Sequence, residues 1–304
     1  MPAPLRLPDG YTSRRFSIDD AQAVTDLIAV CEEHDVGEAL IEVEDIISDW
    51  SASSYDVDDA IGVYAGEHLV GYTERTGVTR GDGHVLPDHR GNGIGTALSA
   101  WLVERARERG DDSTGIPFPL GSAGDRLQEA QGWPVRWHSW VLELPENTEI
   151  TARELPAGYH VRAAAPEEYQ GTWHVVEDAF LEWSERDKQP FEDWALEVFK
   201  RGGFEPWMLR VALDPDGLVV GAAHVVLANE GVEGYIAKLA VRADHRNRGL
   251  AQALLADAFT ESRAHGAVRS TLSTDSRTGA LSLYEKVGMV VTSTWVNRGT
   301  STHR

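Results

Sequence analysis

The chain lacks the features that would cross-link it covalently or anchor it in a membrane. Its 304 residues include one cysteine, Cys31, so no disulfide can form within the chain. No apolar run approaches the ~20 residues that a membrane-spanning helix requires. Residues Met1 to Gly10 contain no apolar segment of the kind found in a signal peptide. We therefore expect a cytoplasmic protein in a reducing compartment.

Basic residues are also scarce. The chain has 28 Lys and Arg residues against 49 Asp and Glu residues, which gives a formal net charge of −21. Such an acidic balance disfavours a nucleic-acid partner, whose phosphates need cations, and favours cationic small molecules. A hydrophobic content of 42% is typical of a globular protein. We expect a monomer or a homodimer without a nucleic-acid or membrane partner.

What the chain does contain is a long internal repeat. The segment Asp88–Gly95 reads DHRGNGIG, and the segment Asp244–Ala251, 156 residues later, reads DHRNRGLA. Each segment follows an apolar run and precedes a helical pattern, and a repeat of this length is about the size of a domain. We predict an N-terminal domain over 1–145, a polar linker over 146–157 and a C-terminal domain over 158–304.

Local signals place several elements within this plan. Helical periodicity predicts helices over Ile41–Trp50, Thr96–Arg109 and Leu250–His265. The segment Asp214–Gly217 reads Asp-Pro-Asp-Gly, which favours a turn between two strands. The polar segment Asn297–Arg304 is predicted to be a frayed tail.

The repeated segment has the composition of a diphosphate-binding loop. Its glycines tolerate positive φ and allow close backbone approach, while the first N–H groups of the following helix have no helical partner. The helix dipole and the arginine, Arg90 or Arg246, would add positive charge. A dinucleotide fingerprint is disfavoured because its third glycine is replaced by Leu98 or Leu254. A purely structural glycine turn is disfavoured by the recurrence of the same spacing.

Three motifs then make both halves resemble the GNAT superfamily of acyl-CoA-dependent N-acetyltransferases. The first is the Arg-x-x-Gly-x-Gly/Ala segment, and the second is the preceding strand end, Leu239–Val241 or Val85–Pro87. The third is a tyrosine before a Gly-Met pair, Tyr284 in LYEKVGM. The resemblance implies an α/β fold of the α+β type, with two tandem GNAT domains. Each domain would contain a mixed, mainly antiparallel sheet flanked by helices, as in two-domain members such as mycothiol synthase.

The resemblance also implies that acetyl-CoA is the acyl donor. The second copy would contact it through Leu239, Ala240, Val241, Arg246, Asn247, Arg248, Gly249, Leu250, Ala251 and Ser276. The first copy would contact it through Val85, Arg90, Gly91, Asn92, Gly93, Ile94 and Gly95. Ser276 stands where relatives often have asparagine, and it could cap a helix.

By the same resemblance, Tyr284 is the acid that protonates the departing thiolate. The first copy has Gln128 at the matching offset, and an amide cannot supply that proton. The N-terminal domain is therefore predicted to be degenerate for catalysis and the C-terminal domain to be catalytic. The usual position of the base falls at Tyr235. Glu233 would share a strand face with it, so either Glu233 or a water relay is predicted to deprotonate the amine.

The resemblance also implies that the first helices select the acceptor, and in the second half this region, Glu177–Glu185, interleaves acidic and aromatic residues. Glu182 and Trp183, with Tyr235, could bind a cationic amine through ion pairing and cation–π contact. The alternative is an amphipathic helix with Phe180 and Trp183 in the core. His174, His224 and His245 lack metal-ligand spacing, so no metal site is predicted.

We predict direct acetyl transfer to a primary amine of a small molecule. Acetylation of a cysteinyl pseudodisaccharide, as by mycothiol synthase, is one alternative, and a non-catalytic acyl-CoA-binding protein is the other.

Overall fold

Two compact units make up the chain. The computed structural model describes residues 5–39, 41–52, 55–151, 153–184 and 186–303, so Met1 to Pro4 and Arg304 of the predicted ends lie outside it. The N-terminal unit comprises Met1–His138 with Thr294–Arg304, and the C-terminal unit comprises Ser139–Ser293. These units differ from the predicted division at 145 and 158, because each unit includes a strand segment from the other half of the chain.

The N-terminal unit combines a run of consecutive strands with helices on either side of that run in the chain. Its elements are β1 (Tyr11–Arg14), α1 (Ala21–Val36), α2 (Val43–Ser51), β2 (Ala60–Ala65), β3 (His68–Gly77), β4 (Arg80–Val85), α3 (Ile94–Arg109), β5 (Ser113–Pro119), α4 (Ala123–Ala130) and the first residues of β6 (Val135–Leu144). Strands β1 to β4 form an antiparallel sheet in chain order. The helices predicted over Ile41–Trp50 and Thr96–Arg109 are confirmed as α2 and α3.

Helix α1 shows how the sequence builds this core. Val24, Leu27, Ile28 and Cys31 are its buried residues at i, i+3, i+4 and i+7, the spacing of one helix face. They share an apolar cluster with Tyr72 of β3. Gly37 ends the helix in the left-handed region at φ 92°, which a residue without a Cβ adopts at low cost. The apolar face of the helix thus covers the sheet beside the candidate site.

The C-terminal unit repeats the arrangement around a six-stranded mixed sheet. Its elements are the end of β6, β7 (His160–Ala163), α5 (Tyr169–Phe180), α6 (Phe191–Glu197), β8 (Leu209–Leu213), β9 (Val219–Ala228), β10 (Glu233–Val241), α7 (Leu250–Ala264), β11 (Arg269–Asp275), α8 (Leu281–Glu285) and the start of β12 (Val290–Ser301). The order is β6-β11-β10-β9-β8-β7, antiparallel except where β10 runs parallel to β11. The predicted mixed, mainly antiparallel sheet is confirmed.

Strands β10 and β11 diverge along their length. They pair only from Glu233↔Arg269 to Tyr235↔Thr271, after which β10 continues to Val241 with no strand paired on that side among the described residues. A register shift on the β9 side between Ile236 and Lys238 marks a bulge, which bends the strand. The sheet therefore opens between β10 and β11 just before the second repeated loop.

The predicted frayed tail is wrong. Strand β12 continues to Ser301, and its residues from Trp295 onward pair antiparallel with β5 in the N-terminal unit. Arg298 also donates to Asp125 of α4 at 2.6 Å between Nε and Oδ1. The prediction rested on the polar composition of this segment. The sequence does not reveal that β5 has an open edge with which the segment can pair.

Candidate active site

The two repeated loops have the same backbone conformation. In the N-terminal unit Gly91 and Gly93 have φ of 78° and 84°, and α3 begins directly after Gly93. In the C-terminal unit the matching residues are Asn247 and Gly249, with φ of 60° and 81°, and α7 begins after Gly249. Asparagine adopts the left-handed region more readily than most side chains, so the loop is preserved without its first glycine. Both helices therefore present their first N–H groups at a similar cradle.

The motif arginines Arg90 and Arg246 stabilise the loops by bonding other parts of the protein. Arg90 donates from Nε to the carbonyl of Val85 at 2.9 Å, and its terminal nitrogens bond both carboxylate oxygens of Asp35 at 2.7 and 2.9 Å. Arg246 repeats the pattern with Val241 at 3.0 Å and with Glu182 at 2.6 and 2.7 Å. Each guanidinium thus links the strand end to the end of the first helical segment. The cradle itself consists mainly of backbone N–H groups.

The other predicted coenzyme contacts of the second copy surround that cradle. Leu239 to Val241 form the end of β10, beyond its pairing with β11. Arg248 donates to the hydroxyl of Tyr159 at 2.9 Å. Ser276 is exposed in the turn after β11, and Ala280 is the N-cap of α8, so Ser276 does not cap that helix. The structure brings the loop and strand end together and leaves Ser276 at the rim of the turn.

A cavity of about 320 Å³ lies in the N-terminal unit next to its repeated loop. Arg90, Gly91, Gly93 and Gly95 line one part of it. Its other lining residues come from strands β3, β4 and β5 and from helices α1, α3 and α4, and they include Asp35, Tyr72, Thr73, His84, Ser99, Phe118 and Leu127. The first copy therefore retains both the cradle and room for a ligand.

Tyr284 and Gln128 occupy matching helices but differ in chemistry. Tyr284 of α8 is 8% exposed and packs in the core cluster of the C-terminal unit. Burial raises the pKa of its phenol, and a hydrogen bond with Thr274 opposes part of that rise. Gln128 of α4 is fully buried, and neither amide atom has a partner among the residues that the structure describes. The C-terminal unit thus holds a protonated phenol where the N-terminal unit holds an amide.

Glu233 lies at the far end of β10. It is fully buried, and its carboxylate accepts from Asn229 at 2.9 Å, from the hydroxyl of Thr271 and from Arg269, whose Nη2 is 2.7 Å away. Leu239 lies six positions further along the strand, which is a distance of about 20 Å. The structure therefore brings Glu233 together with a cation and two neutral donors rather than with the repeated loop.

The predicted acceptor residues also have partners within the protein. The carboxylate of Glu182 is bonded to Arg246, as described above. The ring of Trp183 lies 5.0 Å from the guanidinium carbon of Arg277 and 5.4 Å from the ring of Phe180. Tyr235 is half-buried near the start of β10, opposite Val226 and Thr271. Trp183 thus already carries one cation–π contact, and its neighbour Phe180 packs in the apolar cluster beneath α5.

A buried polar cluster in the N-terminal unit was missed by the sequence reasoning. Asp82 of β4 accepts from the hydroxyl of Tyr72 at 2.5 Å and lies 3.6 Å from Nε2 of His84. Glu74 of β3 accepts from the indole of Trp50 at 3.2 Å, and burial with the nearby Asp82 charge raises its pKa to about 8. The only sequence signal was an Asp and a His two residues apart in a glycine-interrupted strand.

The C-terminal unit has a different pair at the matching register. In the β9–β10 pairing His224 lies opposite Lys238, and in the β3–β4 pairing Glu74 lies opposite Asp82. His224 therefore occupies the position of Glu74, and Lys238 occupies the position of Asp82. Burial, followed by the positive charges of Lys238 and Arg201, lowers the pKa of His224 to about 3. Lys238 itself forms an ion pair with Glu197 at 3.0 Å.

In the described part of the chain, no three His, Cys, Asp or Glu side chains form a group that could hold a metal ion. None of its helices is long and apolar enough to cross a bilayer.

Comparisons with known proteins match this geometry. The family model described as Acetyltransferase (GNAT) family matches residues 23–114 and 168–289, more than half of the chain. A mycothiol acetyltransferase of Thermobispora bispora is 28% identical over 248 residues, which cover 74% of this chain and 78% of the relative. A mycothiol acetyltransferase of Saccharopolyspora erythraea is 25% identical over 223 residues, which cover 67% of this chain and 70% of the relative.

Solved structures show the same architecture over nearly the whole chain. A GCN5-related N-acetyltransferase from Sphaerobacter thermophilus superposes with a TM-score of 0.76 at 28% identity, covering 98% of each chain. A tandem GNAT protein from the clavulanic acid biosynthesis pathway superposes with a TM-score of 0.72 at 17% identity, covering 97% of this chain and 99% of that one. The second likeness shows the fold alone, and the two together confirm a tandem arrangement.

Proposed function

Because the chain belongs to the GNAT acetyltransferase family, whose members use acyl-CoA, we propose that its C-terminal unit transfers an acetyl group from acetyl-CoA to a primary amine of a small molecule. The observation that carries the proposal is the retention in one unit of both the loop 246–251 and a buried, protonated Tyr284. The N-terminal unit retains the loop but has Gln128 at the position of the phenol.

The divergence of β10 and β11 supports a site for the thioester. In a strand, successive N–H groups alternate between the two neighbours. Beyond Tyr235 those directed away from β9 face the opening, since β11 no longer pairs there. A main-chain N–H between Leu239 and Val241 would then donate to the oxyanion that forms when the amine attacks the carbonyl. The loop 246–251 would hold the diphosphate through its N–H groups and so orient the reacting atoms.

Tyr284 would supply the proton that the departing thiolate requires. Its raised pKa keeps the phenol protonated at neutral pH, and its burial excludes competing water. For the proton of the amine, the contacts of Glu233 favour a water relay over this carboxylate. Three donors already bond Glu233, and it lies about 20 Å along the strand from Leu239.

The acceptor is proposed to be a cationic amine that approaches the side of the sheet covered by α5. The ring of Trp183 is part of that region, and the net charge of −21 would attract such a substrate. A cysteinyl pseudodisaccharide amine is the second candidate. Two relatives whose alignments cover 74% and 67% of this chain are mycothiol acetyltransferases. Tyr235 at the expected base position gives no reason to prefer one acceptor.

Release of coenzyme A from acetyl-CoA, measured with a panel of primary amines that includes the cysteinyl pseudodisaccharide, tests the proposal. We expect Tyr284→Phe to lower turnover at least tenfold while leaving coenzyme A affinity unchanged, because the ring remains and only the proton donor is lost. Tyr169→Phe, in the aromatic cluster beside Phe199, is the matched control. Unchanged turnover in Tyr284→Phe would remove the phenol as the acid, and no release with any amine would favour the binding-protein alternative.

A further inference from the structure

The cavity of the N-terminal unit contains an imidazole that the C-terminal unit lacks. Pairing of Gly71 with Val85 in one unit matches pairing of Gly221 with Val241 in the other. In this register His84 occupies the position of Ala240. The first copy has therefore lost the phenol but has gained a titratable side chain next to the strand end where the thioester would lie.

The neighbours of His84 hold it in one orientation. Its ring stacks on Tyr72, with centroids 5.9 Å apart and planes within 10°. Its Nε2 lies 3.6 Å from Oδ1 of Asp82, while Oδ2 of Asp82 accepts from the Tyr72 hydroxyl. The backbone N–H of Gly83 also donates to Asp82 at 2.8 Å. Asp82 is therefore held by two donors, the Tyr72 hydroxyl and the Gly83 N–H, while His84 contacts it as an ion-pair partner when protonated and stacks on Tyr72.

The surrounding charges favour the imidazolium form. Burial alone would lower the pKa of His84, but the Asp82 carboxylate and then the contact with Cys31 raise it to about 10. Cys31 of α1 donates its S–H to the carbonyl of Val85 at 3.4 Å. Arg90, which also lines the cavity, is paired with Asp35. At neutral pH His84 is thus a cationic proton donor on the wall of the cavity.

We infer that the N-terminal unit is a second coenzyme A thioester site, in which His84, oriented by Asp82, donates a proton to the departing thiolate. This inference rests on the proposed use of coenzyme A thioesters by the chain. The nitrogen of a neutral primary amine bonds to the carbonyl carbon, and the C–S bond breaks. The sulfur keeps the bonding pair and takes the imidazolium proton. The neutral imidazole then accepts the proton that the new amide nitrogen loses, which restores its starting form.

A variant that blocks only the second cradle isolates this site. In full-length Gly249→Glu protein we expect calorimetry to detect one bound coenzyme A per chain, against two in the unmodified protein. The pKa of the thiol of bound coenzyme A can be followed by thiolate absorbance. In the Gly249→Glu protein we expect it to lie at least one unit below the thiol pKa of free coenzyme A. The cause would be the cation beside the sulfur. His84→Gln in this background should abolish the shift, whereas His68→Gln at an exposed position should not.

Catalysis in the same background gives the second readout. Gly249→Glu should retain slow release of coenzyme A with primary amines, and His84→Gln should lower that residual rate at least tenfold. Absence of a bound coenzyme A, an unshifted thiol pKa or a residual rate that does not depend on His84 would each overturn the inference. If His84→Gln fails to fold, histidine NMR on Gly249→Glu decides, since the His84 signals must move when acetyl-CoA binds. The proposed function is tested separately, by the turnover of Tyr284→Phe in the protein with an intact second loop. A failure of that proposal is therefore distinguishable from a failure of this inference.

Discussion

Replacing Glu233 by glutamine separates a structural role from a catalytic one. The carboxylate is fully buried, and its strongest partner is the Arg269 side chain, which is 25% exposed. Glutamine preserves the shape and one acceptor oxygen but removes the nearer of the two carboxylates that face the guanidinium, at 2.7 Å against 3.9 Å for Glu143. Breaking a buried ion pair costs ~3–5 kcal/mol, and the partial exposure of Arg269 reduces the expected loss to about 2–3 kcal/mol. For a unit of this size, that loss corresponds to a fall in Tm of about 5–10 °C.

The same substitution should barely affect the reaction. Glu233 lies about 20 Å along the strand from Leu239, so we expect kcat/KM of the folded Glu233→Gln protein to stay within threefold of the unmodified value. Thermal unfolding and coenzyme A release on one preparation provide both numbers. Glu143→Gln is the matched control, because Glu143 lies 3.9 Å from the same arginine at a half-buried site, and its loss should cost under about 1 kcal/mol. A hundredfold loss of kcat/KM with unchanged Tm would establish Glu233 as the base and refute the reasoning.

Three further changes test other parts of the structure. Gly249→Glu should lower coenzyme A release at least tenfold more than Gly93→Glu. Both sites have positive φ and similar space, so the reverse ranking would place catalysis in the other unit. The pKa of Glu74 is about 8 in the folded protein and has its usual value of 4.5 in the unfolded chain. Between pH 4.5 and about 8 the carboxyl is therefore protonated in the folded protein and ionised in the unfolded chain. Stability should therefore fall as pH rises through this window, by up to about 1.4 kcal/mol per pH unit, and Glu74→Gln should flatten that slope in thermal unfolding. Arg298→Ala removes the bond to Asp125 and should lower the Tm of the N-terminal unit, whereas an unchanged Tm would mean that strand pairing alone holds the chain end.

Much of the fold was predictable because it depends on local signals. The repeated segment, the strand end before it and the helix after it are contiguous, so spacing alone placed α3 and α7 to within two residues. The turn at Asp214 was predictable for the same reason, since its side chain accepts from the N–H of Asp216 and of Leu218. The family resemblance was therefore readable from contiguous motifs.

Predictions that depended on distant partners were less successful. The polar residues after Asn297 gave no sign that they would pair with β5. Glu182 was predicted to contact substrate from its composition, yet its carboxylate bonds an arginine 64 residues away. The cluster around His84 was invisible because Tyr72 and Asp82 belong to different strands, which only pairing brings together.

The sequence by itself determined the duplication, the two loops and the presence of a phenol in one copy and an amide in the other. These follow from residue identity and backbone freedom over a few positions, which no tertiary contact needs to supply. Only the tertiary structure decided which carboxylates are already paired, where β10 and β11 separate, and that Asp82 lies beside His84 and raises the pKa of its imidazole. Burial and charge at those residues arise from side chains far apart in the chain, and their electrostatic free energies exist only once the strands and helices are assembled.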